Sequence, residues 1–386
     1  MPENNGLSDP TGYRIEWQQQ APAILLQPDF AQEWQTLESH ADVTFFLSWQ
    51  WISTWLGLCN EPLRLARIYY NNVLVGLGLF TWSTEIRHRF LRSRVLRLHR
   101  TGLPEWDQIW IEYNQLLLDR AHQKTAPAAL ITFLLSRDDW DELELGASDS
   151  QVLQNYQTTP LIPVEHWSSP CYGVDLNALR QTGKHYRDSL SRNTRYQINR
   201  SEKRYQQSGQ LTFACVQDPK AIAEWWPQLA ALHQQRWGMT PTLSGFANPA
   251  FVQFHQRLIA QCAPLHLVEF CTLFLGDLML GCLYNFVYRG RVYFYASGLR
   301  QEADAQLKPG LLLHAMAIQH YLERGLEFYD FMGGDARYKQ SLASRSVELK
   351  LVSLQRPRLS LKLEQFARRL KHWRPDTPQQ DAPNAD

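Results

Sequence analysis

The C-terminal half of this chain is organised around residues 307–343, LKPGLLLHAMAIQHYLERGLEFYDFMGGDARYKQSLA. Apolar residues recur at helical spacing along its first part, namely Leu311, Ala315, Ile318 and Leu322. They predict a helix that begins at the sequence KPG (308–310), because Pro is tolerated in a first helical turn. The helix is expected to end at Gly325, since Gly commonly terminates helices.

The second part of the stretch predicts a strand and another helix. The strand covers residues 326–332, is rich in aromatic residues, and is broken by a Gly-Gly pair at 333–334. A second helix follows from about residue 335 and carries Tyr338 and Lys339.

The start of the first helix is a candidate anion site. The first N–H groups of a helix have no intrahelical partner and carry the positive end of the helix dipole. No acidic residue occupies this first turn, and Lys308 adds a positive charge. A pyrophosphate would be well accommodated at this position, but on these residues alone an ordinary buried helix with a Pro-Gly start is the favoured explanation.

Length and composition describe a globular protein of two domains. The chain has 386 residues, 44% of them hydrophobic, and a formal net charge of +1. This length exceeds one usual hydrophobic core, and the near-neutral charge argues against a dedicated nucleic-acid-binding protein.

The cysteines and the apolar segments predict a cytoplasmic protein. The six cysteines contain no C-x-x-C pair, so the sequence predicts reduced thiols, with neither a zinc site nor a disulfide framework. The first twenty residues lack a secretory signal. The longest apolar run, residues 128–135, is too short to span a bilayer.

The remaining elements predict an α+β fold with mostly antiparallel sheets. Helices are expected at 28–41, 48–58 and 126–135, and strands at 63–70, 73–82, 95–99, 141–145, 265–275, 278–288 and 291–298. The segments NNVLVGLGLF (71–80) and GDLMLGCLYNF (276–286) share turn residues followed by an apolar strand, which indicates a duplicated domain.

The predicted organisation has four parts. A disordered N-terminus (1–12) precedes an N-terminal domain (13–160), a C-terminal domain (161–355) and a tail (356–386) that holds a basic amphipathic helix and a disordered end. The boundary is placed in the polar, proline-containing segment 151–170. The N-terminal domain has no counterpart of KPG. For the basic helix, packing on the protein surface is favoured over contact with a membrane.

The run from 291 through KPGLLLHAMAIQHYLERG and FYDFMGGDARYKQSL resembles the GNAT acyltransferase superfamily, and within it the FemAB-like and cellulose-biosynthesis-type acetyltransferases. The earlier segment YRDSLSRNTRYQINRSEKRYQQSG resembles the Arg-rich segment of that group, so the resemblance covers residues 186–352. It implies tandem GNAT-like folds, each with a mixed, mostly antiparallel sheet flanked by helices. In this arrangement 161–355 is the acyltransferase domain, and 13–160 is an accessory domain that is expected to shape the acceptor cleft.

The resemblance also implies a donor site and catalytic residues. The donor is acetyl-CoA or another acyl-CoA, without a metal, and it is expected at Leu299, Lys308, Pro309, Gly310, Leu311 and Leu312. Tyr338 corresponds to the acid that protonates the leaving thiolate, and Lys339 to a residue that stabilises the oxyanion or contacts acceptor phosphate. As alternatives, Tyr338 anchors its helix and Lys339 is a solvated lysine. A backbone N–H near 295–299 is expected to polarise the thioester.

The general base stays open between Glu269, Tyr284, Tyr295 and ordered water. His314 is interpreted as a packing residue, because a lone His on an apolar helix is usually one. On the acceptor side, Arg192, Arg195, Arg200, Arg236 and Trp237 are the candidates. A solvated helix face is the alternative for the Arg-rich run, and a core position is the alternative for the Trp.

We therefore expect an acyl-CoA-dependent N-acyltransferase, with O-acyl transfer less favoured. Its acceptor is expected to be a small molecule or glycan precursor, namely an amino sugar or a cell-envelope or exopolysaccharide precursor. One alternative is a FemAB-type transferase that uses aminoacyl-tRNA, and salt-sensitive tRNA retention distinguishes it. The other is a non-catalytic assembly subunit, which binds no CoA thioester. The acyl group and the oligomeric state stay open.

Overall fold

A computed structural model describes residues 12–88, 91–359 and 361–362. The described residues form two compact units, one from residues 12–168 and 348–362 and the other from 169–347. Most of the predicted disordered N-terminus (1–12) and of the predicted tail (356–386) lies outside the described residues. Among the described residues, no helix has both the length and the apolar composition that a bilayer crossing requires.

The strands of the described residues are β1 Tyr13–Gln20, β2 Leu63–Tyr70, β3 Val73–Arg87, β4 Leu91–Leu98, β5 Leu117–Leu118, β6 Glu142–Asp149, β7 Ile162–Asp175, β8 Leu211–Val216, β9 Val268–Leu275, β10 Leu278–Tyr288, β11 Arg291–Leu299, β12 Phe328–Gly333 and β13 Arg345–Gln355. The α-helices are α1 Pro22–Leu25, α2 Pro28–His40, α3 Trp49–Leu56, α4 Pro104–Asp107, α5 Ala126–Leu135, α6 Ser150–Leu153, α7 Leu176–Gln181, α8 Tyr186–Ser189, α9 Arg192–Ser208, α10 Pro219–Trp237, α11 Pro249–Cys262, α12 Pro309–Glu323 and α13 Arg337–Leu342.

The first unit contains a sheet in the order β1-β2-β3-β4-β6-β13. The neighbours are antiparallel except β4 and β6, which run parallel. Asn71 and Asn72 form the turn between β2 and β3 with φ of 49° and 64°, as the sequence predicts for a tight hairpin. Helix α5 belongs to the apolar core of this unit through Leu130, Ile131 and Leu134.

The second unit repeats this arrangement with the order β8-β9-β10-β11-β12-β7. Its neighbours are also antiparallel except for the parallel pair β11 and β12. Strands β3 and β10 are equivalent in the two orders, which confirms the duplication predicted from 71–80 and 276–286. The apolar residues of α12, including Leu313, Ile318 and Tyr321, belong to the core of this unit.

The fold differs from the sequence analysis where the strands are polar. Strand β3 runs five residues beyond its predicted end at 82. The sequence analysis missed this extension because residues 81–87 alternate between half-buried and exposed and lack an apolar pattern. Strand β7 occupies a segment that its two prolines and polar residues led us to treat as a boundary. The sequence analysis also missed β1, β5, β8 and β13. The domain ranges 13–160 and 161–355 remain a prediction.

The first unit also has a helix with a Pro in its first turn. Helix α5 begins with Ala126-Pro127, and it follows the parallel-paired strand β4 as α12 follows β11. The start of α5 shares only the Pro with KPG, because Ala126 and Ala128 flank it. That this unit has no counterpart of KPG therefore stays a prediction.

The prediction that the thiols are all reduced was wrong for one pair. Cys215 on β8 and Cys271 on β9 are register partners, with their Cα atoms 4.0 Å apart, and form a disulfide. The two residues are 56 positions apart in the chain, so only the strand register brings them together. The sequence spacing gives no signal of this contact.

Helix α10 packs very closely on β11 at Gly298. A Cβ atom there would lie 2.5 Å from the carbonyl oxygen of Leu229 and 2.9 Å from the Cβ of Leu232. The first neighbour is backbone and cannot rotate away, so the sequence requires Gly at this position.

Gly298→Ala is therefore expected to lower the free energy of unfolding by about 1–3 kcal/mol, the usual cost of overpacking. Urea denaturation measures this loss. Gly209→Ala is the matched control, because its Cβ would meet only the Leu275 side chain at 3.3 Å. Equal stability of the two variants would contradict the close packing of α10 on β11.

Candidate functional site

Strands β11 and β12 separate after a short parallel pairing. The pairing is limited to three residues of each strand, 291–293 of β11 with 328–330 of β12. Beyond this point β11 remains paired with β10 to Leu299, and β12 remains paired with β7 to Gly333. The two strands therefore splay at their carboxyl ends, where ligands commonly bind in sheets with parallel strands.

A β-bulge lies on β11 at the start of this splay. Phe294 pairs with Asn285 and Ala296 pairs with Tyr284, so Tyr295 is the extra residue of the bulge. Bulges bend a strand and redirect its backbone groups. The bulge falls within residues 295–299, where a polarising backbone N–H is predicted.

A cleft of about 400 Å³ lies where α12 begins. This volume lies in the range of small-molecule sites. The cleft is lined by Arg236, Leu299, Arg300, Gln301, Glu302, Leu307, Lys308, Pro309, Gly310, Leu311, His314 and Tyr338.

The start of α12, which is the positive end of its helix dipole, lies at this cleft. Lys308 is the N-cap residue, its side chain does not cap the helix, and the first turn contains no acidic residue. The first hydrogen bond of the helix runs from Leu312 N to Lys308 O at 3.1 Å. The N–H groups of Gly310 and Leu311 therefore precede the hydrogen-bond ladder, as an anion site requires.

The Arg-rich helix α9 holds the segment that leads into α12. Ser201 Oγ accepts a hydrogen bond from the backbone N–H of Lys308 at 2.8 Å. The Tyr205 hydroxyl donates to Glu302 at 3.1 Å, and an ion pair joins Arg204 to Asp304. These bonds fix one wall of the cleft.

Tyr338 and His314 lie together in the cleft lining. Their rings stack with centroids 5.4 Å apart and an interplanar angle of 28°. The Phe331 ring of β12 contacts both rings, with its centroid 6.4 Å from that of Tyr338 and 5.3 Å from that of His314. Strand β12 and α12 therefore position the predicted acid residue.

Lys339 lies outside the cleft lining and is fully buried. Its Nζ donates to the carbonyl oxygen of Gly333 at 2.7 Å. This bond ties α13 to the end of β12, so the alternative of a solvated helix lysine is wrong. A role of Lys339 at the oxyanion remains a prediction.

Glu269 lies at the opposite end of α12 from the cleft. Arg324, the C-cap of α12, donates to its two carboxylate oxygens at 2.8 and 2.6 Å. A helix of 15 residues is roughly 22 Å long at about 1.5 Å per residue. The structure thus separates this candidate base from the other site residues.

Three potential metal ligands also lie at that end of α12. Ligand atoms of Cys215, Glu269 and His320 are within 4.8 Å of one another. Cys215 is bonded to Cys271 and Glu269 is paired with Arg324, so two of the three are already engaged.

Tyr284 and Tyr295 share a buried histidine. His255 Nδ1 lies 3.2 Å from the Tyr284 hydroxyl, and His255 Nε2 lies 3.2 Å from the Tyr295 hydroxyl. Burial lowers the pKa of His255 well below its usual value, so the imidazole is neutral. The Tyr295 ring packs on α11, whereas the neighbouring Phe294 contacts His314 of α12. The side chains of Phe294 and Tyr295 therefore lie on opposite faces of β11.

The structure brings one of the predicted acceptor residues to the cleft lining. Arg236 lines it, and its guanidinium lies 4.9 Å from the centroid of the Trp237 ring. On α9, Nη1 of Arg195 lies 3.6 Å from Oδ1 of Asp188. The guanidinium of Arg200 lies over the Tyr196 ring.

Two further predicted positions are not part of the lining of the described cleft. Arg192 begins α9, and Leu312 of the predicted donor site is fully buried in the core. The lining also contains residues that the sequence analysis missed, namely Arg300, Gln301, Glu302 and Leu307. Their position between a strand end and an uncapped helix is the signal that could have found them.

Comparisons with known proteins agree with this geometry. Residues 192–340 match the model of the acetyltransferase (GNAT) domain. Among solved structures, the chain is similar to FemX at 12% identity, over 87% of this chain and 98% of that chain, with a TM-score of 0.55. It is also similar to L-PGS from Bacillus licheniformis at 11% identity, over 89% and 96% of the two chains, with a TM-score of 0.51.

A search of curated proteins found no match to this sequence. At such low identities the two structural similarities show the fold alone. Residues 192–340 belong to the acetyltransferase (GNAT) domain family, and the chain has the fold of FemX.

Proposed function

We propose that the chain is an acyl-CoA-dependent N-acyltransferase whose donor occupies the cleft at the start of α12. The observation that carries this proposal is the uncapped helix start with Lys308, which opens into the same cleft that Tyr338 lines. GNAT domains generally use acyl-CoA donors. This chain offers an anion site and a candidate acid in one place.

The chemical character of the lining supports a CoA thioester. Gly310 and Leu311 provide helix N–H groups for a diphosphate, and Arg300 adds a positive charge to the lining. Leu299 and Leu307 provide apolar surface for the pantetheine arm. A Cβ on Gly310 would lie 2.8 Å from Leu299 Cδ1, so Gly permits the close approach of helix and strand.

The proposed reaction is direct aminolysis of the thioester. The acceptor amine attacks the carbonyl carbon, a C–N bond forms, and the C–S bond breaks. A backbone N–H within 295–299 polarises the carbonyl oxygen. Tyr338 gives its proton to the departing thiolate, and ordered water removes the proton of the amine, since Glu269 lies at the far end of α12.

The proposed acceptor is an amino sugar or another amine-bearing precursor of the cell envelope or of an exopolysaccharide. Arg236 supports this choice because its guanidinium lines the cleft, where it can bind an anionic substituent. Trp237 beneath it offers an aromatic face. The proposal places this activity in the cytoplasm, where acyl-CoA is available.

Transfer from aminoacyl-tRNA is the competing donor chemistry, because the fold is shared with FemX. The formal net charge of +1 argues against it, since tRNA binding requires many contacts to phosphates. Retention of tRNA that falls with rising salt, together with no binding of acetyl-CoA, would favour this competitor.

Gly310→Asp is expected to weaken the binding of acetyl-CoA at least tenfold, or about 1.4 kcal/mol. The carboxylate would stand at the helix start that receives the diphosphate. Titration calorimetry with acetyl-CoA measures the affinity. Gly310→Ala is the control, because it adds the Cβ that approaches Leu299 without a charge. An equal loss in both variants would mean that the effect is steric and would remove the diphosphate from this helix start.

Tyr338→Phe is expected to lower kcat by about 10²–10⁴, the usual contribution of a positioned acid. The affinity for acyl-CoA is expected to stay nearly unchanged, because the Phe ring keeps the stacking on His314. The loss is expected to shrink with an acyl donor whose leaving thiol is more acidic than CoA. Wild-type turnover by the folded variant, with chemistry rate-limiting, would make Tyr338 a packing residue.

A further inference from the structure

Four side chains converge at the C-terminal end of α12, at the opposite end of the helix from the cleft. Glu269 and Cys271 lie on the same face of β9, because they are two positions apart. Cys215 of β8 is the register partner of Cys271, and His320 comes from the last turn of α12. Ligand atoms of Cys215, Glu269 and His320 lie within 4.8 Å of one another, and the Cys271 sulfur is bonded to that of Cys215.

The disulfide in this group depends on the redox state of the surroundings. The proposed function places the chain in the cytoplasm, where thiol reductants keep most cysteines reduced. A dithiol that opens the bond supplies two electrons and two protons and is itself oxidised to a disulfide. The products are two thiols side by side on neighbouring strands, next to a carboxylate and an imidazole.

We propose that these four side chains bind one Zn²⁺ ion when the disulfide is reduced, so that the disulfide and the metal site exclude each other. Thiolates, imidazoles and carboxylates are the ligands that Zn²⁺ takes in proteins, and four ligands complete a tetrahedral structural site. The two thiol protons pass to solvent as the zinc–sulfur bonds form.

The spacing of the ligand atoms fits this site. His320 Nε2 lies 3.4 Å from Glu269 Oε1. Two such ligands, each about 2.0–2.1 Å from a tetrahedral zinc, are roughly 3.3 Å apart. Two thiolates at about 2.3 Å from zinc are roughly 3.8 Å apart, so the sulfur atoms must separate once their bond is broken. The carboxylate and the imidazole are therefore already spaced for the ion, and the thiols reach it by side-chain rotation.

Arg324 completes the charge balance of the site. Two thiolates and Glu269 carry three negative charges, which Zn²⁺ and the Arg324 guanidinium together neutralise. Arg324 Nη1 and Gln217 Nε2 donate to Oε2 of Glu269 at 2.6 and 3.3 Å. These bonds orient the carboxylate from the side away from the ion, as hydrogen bonds to metal ligands commonly do. Arg324 also donates to Oε1 at 2.8 Å, and the ion replaces that contact.

The site is open to solvent, and it lies at an edge of the sheet. The side chains of His320 and Arg324 are 32% and 35% exposed, and Cys215 is half-buried, so an ion can enter. Strand β8, which carries Cys215, ends the strand order. The metal ties this strand to β9 and α12 in reducing surroundings, as the disulfide ties it to β9 in oxidising ones.

Co²⁺ binding to the full chain tests the inference, because thiolate ligation gives Co²⁺ an ultraviolet charge-transfer band. The protein is reduced with a water-soluble phosphine, freed of reductant without air, and titrated with Co²⁺ and then with Zn²⁺. We expect one tetrahedral, thiolate-ligated Co²⁺ per chain and its displacement by one Zn²⁺. The protein with the disulfide intact is expected to give no such band.

His320→Gln is expected to weaken Zn²⁺ binding to the reduced protein at least tenfold, because it removes one ligand at a partly exposed position. His40→Gln is the matched control, since His40 also lies in the last turn of a helix but belongs to no group of potential ligands found among the described residues. Zn²⁺ is also expected to protect Cys215 and Cys271 from alkylation, as mass spectrometry reports. The free thiol of Cys59 is expected to keep its rate of alkylation.

Three results would each overturn the inference. They are a reduced protein without the thiolate band, equal Co²⁺ binding before and after reduction, and a Zn²⁺ affinity that His320→Gln leaves unchanged or that His40→Gln lowers equally. The inference goes beyond the proposed function and shares with it only the cytoplasmic location. None of these measurements uses acyl-CoA, so their failure is distinguishable from failure of the proposed function, which acetyl-CoA binding reports.

Discussion

The early end of the pairing between β11 and β12 is the constraint on which the candidate site depends. Parallel strands that stay together leave no room for a ligand, whereas these two separate after three pairs of residues. The crossover helix α12 must then begin beside the gap, because it leaves β11 and returns to β12. The helix start, the bulge at Tyr295 and the cleft all follow from this geometry.

The residues around the cleft are held by buried polar contacts. Asp330 accepts hydrogen bonds from Met332 N at 2.8 Å and from Cys171 Sγ at 3.2 Å. The Nζ of Lys339 donates to the carbonyl oxygen of Gly333, the last residue of β12. Such contacts are costly to leave unmade, and they fix the end of β12 and the start of α13. Tyr338 is thereby held by backbone-linked contacts on one side and by the His314 ring on the other.

The sequence predicts much of the second unit because its elements have strong local signals. The apolar spacing along 311–322 and the KPG start gave α12 almost to the residue. The splay, however, is a property of two strands that are far apart in the chain, and no local pattern records it. For the same reason the sequence could not exclude Glu269, whose distance from the cleft follows from the length of α12. It also missed the Cys215–Cys271 disulfide, which depends on strand register.

Strands β7 and β13, which end the two strand orders, were harder to predict than the central strands of the sheets. Strand β7 mixes prolines and polar residues, and β13 lies between a loop and the predicted tail. Their pairing is decided by partners in the sheet, since side-chain packing on neighbouring strands outweighs intrinsic strand preference. The interpretation of His314 as a packing residue is consistent with its aromatic contacts but does not explain its second nitrogen. Only the structure shows that this nitrogen has no partner in the described part of the chain.

The proposed function requires that an acyl-CoA binds at the splay, on the start of α12. Hydrogen-exchange mass spectrometry with and without acetyl-CoA tests it most directly, because bound ligand slows the exchange of the amides that it covers. We expect slower exchange in peptides that cover 307–314 and 335–342, and no change in peptides from 13–88. Protection confined to the first unit, or no protection of 307–314 at saturating acetyl-CoA, would contradict it.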